Sequence, residues 1–280
     1  MASILSNIDW TGRSSLLEKL LKEQEPLVTQ AMAHGFEAEV MKIVSGQESF
    51  VLKLWNKSSR PDIGAQYHLL KELFERGIAV SEPLGWGIDA NGDKVLLTTF
   101  DGTPVKKVNA RKLADMLAKL HQVKVKDLQG THLPFNDFMK YFFPGAEEYA
   151  DISRLLIPLI QRAQMKQDSI IHGDFHMNNI VEKNGRYTVI DWTNGQAGDP
   201  GYDFAWSVVL LRVYASAPYA ATFRSAYLQR YNIGPEKLKI YKALAVLRWM
   251  LLQRSGGVPV KQDTFQRITG IAEHNPFLQG

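Results

Sequence analysis

Residues 169–206 read SIIHGDFHMNNIVEKNGRYTVIDWTNGQAGDPGYDFAW. Two short apolar runs, residues 179–181 and 187–190, flank EKNGR, and an Asn-Gly pair between apolar runs is a strong hairpin signal. Around this hairpin stand Asp174, Asp191, Asp199 and Asp203, with Asn178, Asn179 and Asn194 among them. Aspartate and asparagine are ordinary turn formers. Their spacing here asks for a second reading.

Asp174 and Asn179 lie five apart in a loop leaving Ile170-Ile171, and the hairpin returns the chain to Ile190 and then Asp191. Three oxygen-bearing side chains thus come from two loops. A carboxylate and an amide oxygen suit a hard cation such as Mg²⁺, which takes few protein ligands and completes its shell with phosphate oxygens. The remaining aspartate can accept a proton from an attacking hydroxyl. That division of labour is the pattern of phosphoryl transfer. His172 and His176 are four apart, but no HExxH and no third histidine accompanies them, which sets zinc aside.

Working back toward the N-terminus, residues 11–22 carry Leu16, Leu17, Leu20 and Leu21 on one stripe and predict a helix. Residues 27–34, 38–44 and 49–54 predict strands separated by turn-like HGFE and SGQE. Residues 62–76 predict a helix with Gly77 past its end, and 94–100 a further strand. SFVLKLW places Lys53 inside an apolar strand, a costly position unless the charge is paired or ligand-bound. It is the candidate phosphate-holding lysine, and Gly35 in AHGFEAEV is the candidate glycine of a phosphate-covering turn. Beyond FDGTP (100–104), a natural hinge, the chain turns helical: 111–121, much of 135–167, 202–214, 220–231 and 236–252. The expected organisation is α+β, with residues 1–100 a small antiparallel sheet carrying one helix and residues 101–280 a larger, mostly helical part.

The bulk numbers exclude several classes. The chain has 280 residues, no cysteine and a formal net charge of +4, so disulfides, thiolate metal sites and Cys nucleophiles are absent. There is no long basic run to mark a nucleic-acid partner, no signal-peptide pattern at the N-terminus, and no apolar run of the ~20 residues that span a bilayer. A cytoplasmic protein without membrane or nucleic-acid partners is expected, and its oligomeric state is left open. Residues 1–100 hold 10 basic and 13 acidic side chains, and residues 101–280 hold 23 and 16.

HGDFHMNN (172–179), VIDW (189–192) and GDPGYDFAW (198–206) together resemble the aminoglycoside phosphotransferase and choline kinase superfamily, small-molecule kinases of protein-kinase-like bilobal fold. VLKLW, ERGIAVSEPLGWG and ADMLAKLHQV follow the same order, and the resemblance runs from about residue 25 onward. It implies a Mg²⁺-dependent transfer of the γ-phosphate of ATP or GTP to a small-molecule hydroxyl. Asp174 would be the catalytic base, Asn179 and Asp191 the metal ligands, and Lys53 the phosphate-pairing lysine. The backbone of Thr98, Thr99 and Phe100 would meet the nucleotide base, His172 would brace the catalytic loop, and Asp203 would anchor that loop from the following helix. One departure stands out: Gln66 falls where kinases of this fold carry the glutamate that pairs with the strand lysine, while Glu72 lies later on the same helix. Only seven residues separate Asp191 from Asp199, too short a segment to dock a peptide, so a small acceptor is expected. The net basic helical part disfavours a polycationic aminoglycoside; choline, an amino alcohol, a sugar or a macrolide remain open. Trp192, Tyr202 and Trp206 could line an aromatic cage but fit core packing better. Tyr141, Phe142 and Phe143 fit either a pocket wall or helix packing. A nucleotide-binding sensor without turnover and a metal hydrolase are the rival readings.

Overall fold

The structure, a computed structural model, describes residues 4–22, 26–32, 38–128 and 132–279. Gly35 lies outside the described residues. Strand β1 (Asp9–Arg13) runs directly into helix α1 (Ser15–Lys22). Residues 11–13, expected to be helical, are therefore strand. The cause is local: the Ser14 hydroxyl accepts the Leu17 amide at 3.2 Å and caps the helix there, while the Ser14 amide donates to Leu84. Next come β2 (Val28–Ala31), β3 (Glu39–Ser45), β4 (Glu48–Trp55) and helix α2 (Ile63–Glu75), which Asp62 caps by accepting the Ala65 amide at 2.9 Å. Then follow β5 (Pro83–Ile88), β6 (Lys94–Thr99) and the two-residue β7 (Thr103–Pro104).

These strands form a six-stranded antiparallel sheet in the order β1-β5-β6-β4-β3-β2, with β7 excluded. β5 lies outside the strands expected from the sequence. Its glycines serve close approach: a Cβ at Gly87 would stand 2.1 Å from the Asp9 carbonyl oxygen across the β1–β5 pair. One sheet face packs with α1 over Leu17, Leu20, Ile43, Phe50, Leu52, Leu84 and Leu97, all buried.

The remaining elements are α3 (Ala110–His121), α4 (Phe138–Phe142), α5 (Ala150–Ala163), β8 (Ser169–Ile171), β9 (Ile180–Lys183), β10 (Arg186–Val189), β11 (Gln196–Gly198), α6 (Pro200–Tyr214), α7 (Ala217–Leu228), α8 (Pro235–Arg254) and α9 (Thr264–Ala272). α9, which buries Ile268 and Ile271, lies outside the helices expected from the sequence. Asn184 and Gly185, at φ 54° and 81°, make the β9–β10 turn, as the Asn-Gly pair demands.

The chain divides into two compact units. The first is Met1–Pro104 with Gly130–Pro134 and Ile180–Thr193; the second is Val105–Gln129, Phe135–Asn179 and Asn194–Gly280. The hairpin groups with the sheet unit because β9 pairs with β7, and because Val189 bridges Val80 and donates its amide to Ala79 at 2.7 Å. The second unit is built on α6, which is buried on nearly all sides, and on α8, which is buried on all sides along residues 243–249. Phe204 of α6 stacks on Tyr227 of α7 with centroids 4.0 Å apart. No described helix is long and apolar enough to cross a membrane.

Gly102 closes the turn into β7 at φ +114°, and a Cβ there would lie 1.9 Å from the Glu182 carbonyl oxygen. Gly185 also has a positive φ, but nothing within 4 Å. Gly102→Ala should therefore cost about 3 kcal/mol of stability, through strain and lost β7–β9 pairing. Gly185→Ala should cost only about 1 kcal/mol. Thermal denaturation of the two variants checks the ranking, and equal losses would contradict it.

Candidate active site

The loop after β8 is tied down at four backbone points. Asp203, on the first turn of α6 and fully buried, accepts the His172 amide on Oδ2 at 2.9 Å and the Gly173 amide on Oδ1 at 3.0 Å. The Gly173 carbonyl accepts Arg248 Nη1 at 2.9 Å, and His172 Nδ1 accepts the Asp174 amide at 3.2 Å. Asp203 has a further partner in the buried His121, whose Nε2 lies 3.0 Å from Oδ2 and whose Nδ1 lies 2.5 Å from the Tyr227 hydroxyl. Burial alone would push the Asp203 carboxyl up. The hydrogen bond and charge of His121, the charge of His172 and the backbone amide outweigh it and hold the carboxyl below its ordinary range.

This scaffold presents Asp174. Its Oδ1 accepts the Trp206 indole N–H at 3.1 Å, and its Oδ2 lies 3.3 Å from His176 Nε2. Desolvation again acts upward, but His176, Arg248 and the Trp206 indole together keep the carboxyl ionised and well below the usual carboxylate range. The carboxylate remains about 31% exposed, so a substrate can reach it. Asn179 is buried; its Nδ2 donates to the Asp174 carbonyl at 2.9 Å, which leaves the amide oxygen for another partner. Arg248 is buried between two aromatic faces, 4.3 Å from the Trp206 centroid and 4.4 Å from that of Phe142.

Trp206 is therefore a buried donor to Asp174 and belongs to no cage. Trp192, in the other unit, donates its indole N–H to Val189 of its own hairpin at 3.0 Å. Phe142 and Phe143 are core, whereas the Tyr141 hydroxyl donates to Asn194 at 3.2 Å. Asp199 caps α6, accepting the Gly201 amide at 2.8 Å and the Tyr241 hydroxyl at 2.6 Å.

In the sheet unit, Lys53 sits mid-β4 between Val40 and Leu96 of its neighbours, and its Nζ lies 3.4 Å from Asp191 Oδ1. Asp191 follows β10 at φ +64° and also accepts the Thr193 hydroxyl at 3.2 Å. The partner of Lys53 is thus Asp191 and not a residue of α2. Glu72 ion-pairs with Arg76 at 3.1 Å, and Gln66 is buried with its Oε1 unpartnered among the described residues. Two backbone amides of the expected hinge are engaged within the sheet unit. The Thr99 amide donates to Glu82 and the Phe100 amide to Ser49, each at 3.0 Å, so neither N–H faces a nucleotide base. The Thr98 hydroxyl donates to the Thr99 carbonyl at 3.3 Å. Backbone groups from Asp101 onward are the first past the sheet pairing.

Asn179 in the second unit and Asp191 in the first each carry a hard oxygen donor of the kind a divalent cation takes. No group of three or more His, Cys, Asp or Glu residues among the described residues could hold a metal by itself.

Sequence reading missed His121 and Arg248. Arg248 left a signal, a lone cation inside VLRWMLL, where an unpaired charge would be costly. His121 left only its place on the apolar face of α3.

A family model described as "Phosphotransferase enzyme family" matches residues 28–241. No curated protein sequence matches significantly. Among solved structures, amicoumacin kinase hAmiN in complex with AMP-PNP, Ca²⁺ and Ami is similar with a TM-score of 0.65 at 16% identity, covering 90% of each chain. A choline/ethanolamine kinase family protein from Mesorhizobium loti has a TM-score of 0.60 at 17% identity, covering 92% of each chain. A thermostable mutant of aminoglycoside phosphotransferase APH(4)-Ia, bound to AMP-PNP and hygromycin B, has a TM-score of 0.59 at 16% identity over 95% of this chain and 100% of that one. At such identities the likeness is one of fold.

Because the Asp203 carboxyl is held below the ordinary 3.8, its stabilising contribution is complete above that pH and fades as pH falls through the lower folded value. Asp203→Asn should lose about 3 kcal/mol or more at neutral pH, since it breaks a buried charge-assisted network. It should also flatten the acid limb of the Tm-versus-pH curve below about pH 4. A variant curve parallel to that of the parent would contradict this assignment.

Proposed function

This chain belongs to the phosphotransferase enzyme family, and from that premise we propose that it moves the γ-phosphate of ATP, or of GTP, to a hydroxyl of a small molecule in a Mg²⁺-dependent reaction. The observation that carries the proposal is Asp174, an ionised carboxylate held by Trp206 and His176 on a loop immobilised by Asp203. A carboxylate so strongly ionised is a weak base. Its part is to accept the hydrogen bond of the acceptor hydroxyl, orient it for in-line attack, and take the proton as the phosphoryl group arrives. Trp206 and His176 leave the carboxylate one productive orientation, and positioning of this kind lowers the barrier without covalent chemistry.

Lys53 is the proposed cationic contact for the nucleotide phosphates, and its long, half-exposed pairing with Asp191 is weak enough to be exchanged for a phosphate oxygen. Asn179 and Asp191 are the proposed ligands of Mg²⁺. When bound, the cation supplies neutralisation of phosphate charge. Similar folds are solved with AMP-PNP bound, which supports ATP as donor. The two charged side chains that do most to hold Asp174 ionised are His176 and Arg248, both capable of positive charge. That favours a neutral or singly charged acceptor, such as a sugar, an amino alcohol or a macrolide, over a polycation. A small acceptor is the proposed partner; a cytoplasmic location is proposed as well.

The test is Mg²⁺-dependent ADP or GDP release over a panel of aminoglycosides, macrolides, choline, ethanolamine, homoserine and sugars. Acceptor-stimulated turnover should fall ~10²–10⁴-fold in Asp174→Asn while nucleotide binding persists. Nucleotide binding with no stimulated turnover would favour a sensor, the reading that the unpartnered Gln66 and the absence of a helix acid beside Lys53 support. Phosphate release independent of any acceptor and equal in both proteins would favour a hydrolase.

A further inference from the structure

Helices α6, α7, α8 and α9 line a pocket of about 180 Å³ in the second unit. Its apolar wall includes Val208, Val209 and Ile271. Three cations enter it from three different helices: Arg212 from α6, Arg224 from α7 and Lys242 from α8. No acidic side chain lines the pocket among the described residues. None of the three cations forms an ion pair or side-chain hydrogen bond within the described residues. Some other cations in this chain are paired. Arg76, Arg230, Arg254 and Arg267 each face a carboxylate, on Glu72, Asp115, Asp151 and Asp263. None of the lining residues belongs to the transfer site described above.

Basic residues on a surface are usually just solvated, and Arg224 is exposed. Lys242 does not fit that description. It is half-buried, and its ammonium is drawn below the ordinary 10.5, first by burial and then by the charges of Arg212 and Arg224. Three like charges converging on an apolar wall repel one another in a medium that screens them poorly. A ligand carrying two or more negative charges would relieve that repulsion and accept from all three donors. Guanidinium forks match tetrahedral oxyanions bidentately, and an ammonium adds a point charge. The volume, several times the ~30 Å³ that a water occupies in the liquid, suits a compact anion with a small substituent and is too small for a nucleotide.

We propose that this pocket is a second ligand site, which binds a small multivalent phosphate, either inorganic or the phosphate group of a small ester. The proposal is independent of the transfer reaction and stands or falls separately from it.

The test uses the full chain, titrated at matched ionic strength with inorganic phosphate, pyrophosphate, glycerol phosphate and, as controls, chloride and citrate. Binding is read by calorimetry and by Tm. Three variants separate the sites: Arg224→Gln, Arg212→Gln and, to disable phosphate contact at the transfer site, Lys53→Met. The expected result is saturable binding of at least one phosphate species, weakened about tenfold or more in Arg224→Gln and Arg212→Gln and retained in Lys53→Met. The comparison of inorganic phosphate with glycerol phosphate identifies the source. Arg224 is exposed, so its variant should fold, and without ligand at low salt its Tm should equal or exceed that of the parent because a repulsion has been removed. Phosphate should also protect Lys242 from acylating reagents. No saturable response beyond chloride, equal binding of citrate, or loss of binding only in Lys53→Met would overturn the proposal.

Discussion

The Asp203 carboxylate organises the second unit. It is wholly buried and accepts the His172 and Gly173 amides together with His121. Two backbone donors of a tight loop would otherwise be buried without partners, at about 1–3 kcal/mol each. The carboxylate in turn would be untenable without donors on both oxygens. Each half of the arrangement therefore requires the other. Gly173, at φ +78° with a would-be Cβ 2.7 Å from Asn194, lets the loop make the bend that this contact needs.

Charge is arranged differently in the two units. Around Asp174 and Asp203, carboxylates are ionised and held by fixed donors, so their orientation is set before any substrate arrives. The Lys53–Asp191 pair is longer, at 3.4 Å, and Asp191 is about half exposed. An exposed pair of that length is worth little, roughly 0–1 kcal/mol, and exchanges its partner easily. Fixed donors hold the carboxylates of the second unit, whereas the ion pair of the first is free to exchange its partner.

Arg248 links packing to electrostatics. Its guanidinium lies between Trp206 and Phe142, it donates to the Gly173 carbonyl, and its charge helps keep Asp174 ionised. Trp206 is shared in the same way: one face stacks on Arg248, and its N–H meets Asp174. Core aromatics thus shape the carboxylate without lining any cage.

Much of this was legible in the chain alone. The Asn184-Gly185 turn, the inward Lys53, the helix capped by Asp62 and the spacing of Asp174, Asn179 and Asp191 are local patterns, and local patterns follow from backbone geometry and side-chain period. The matching family model agrees with the motifs that carried the resemblance. What the sequence left hidden was non-local. β5 carries glycines whose purpose is the approach of β1. Ser14 stopped a helix that periodicity alone would have started earlier. The partner of Lys53 lay 138 residues away, and His121 met Asp203 across 82. The amides of Thr99 and Phe100 are engaged by Glu82 and Ser49, which no local pattern announces. The sequence by itself determined which elements form and which chemistry-bearing residues they carry, because those depend on neighbours a few positions apart. Only the tertiary structure decided which donors and charges are free and which are already satisfied, because hydrogen bonds and ion pairs are settled between segments that the chain brings together only on folding.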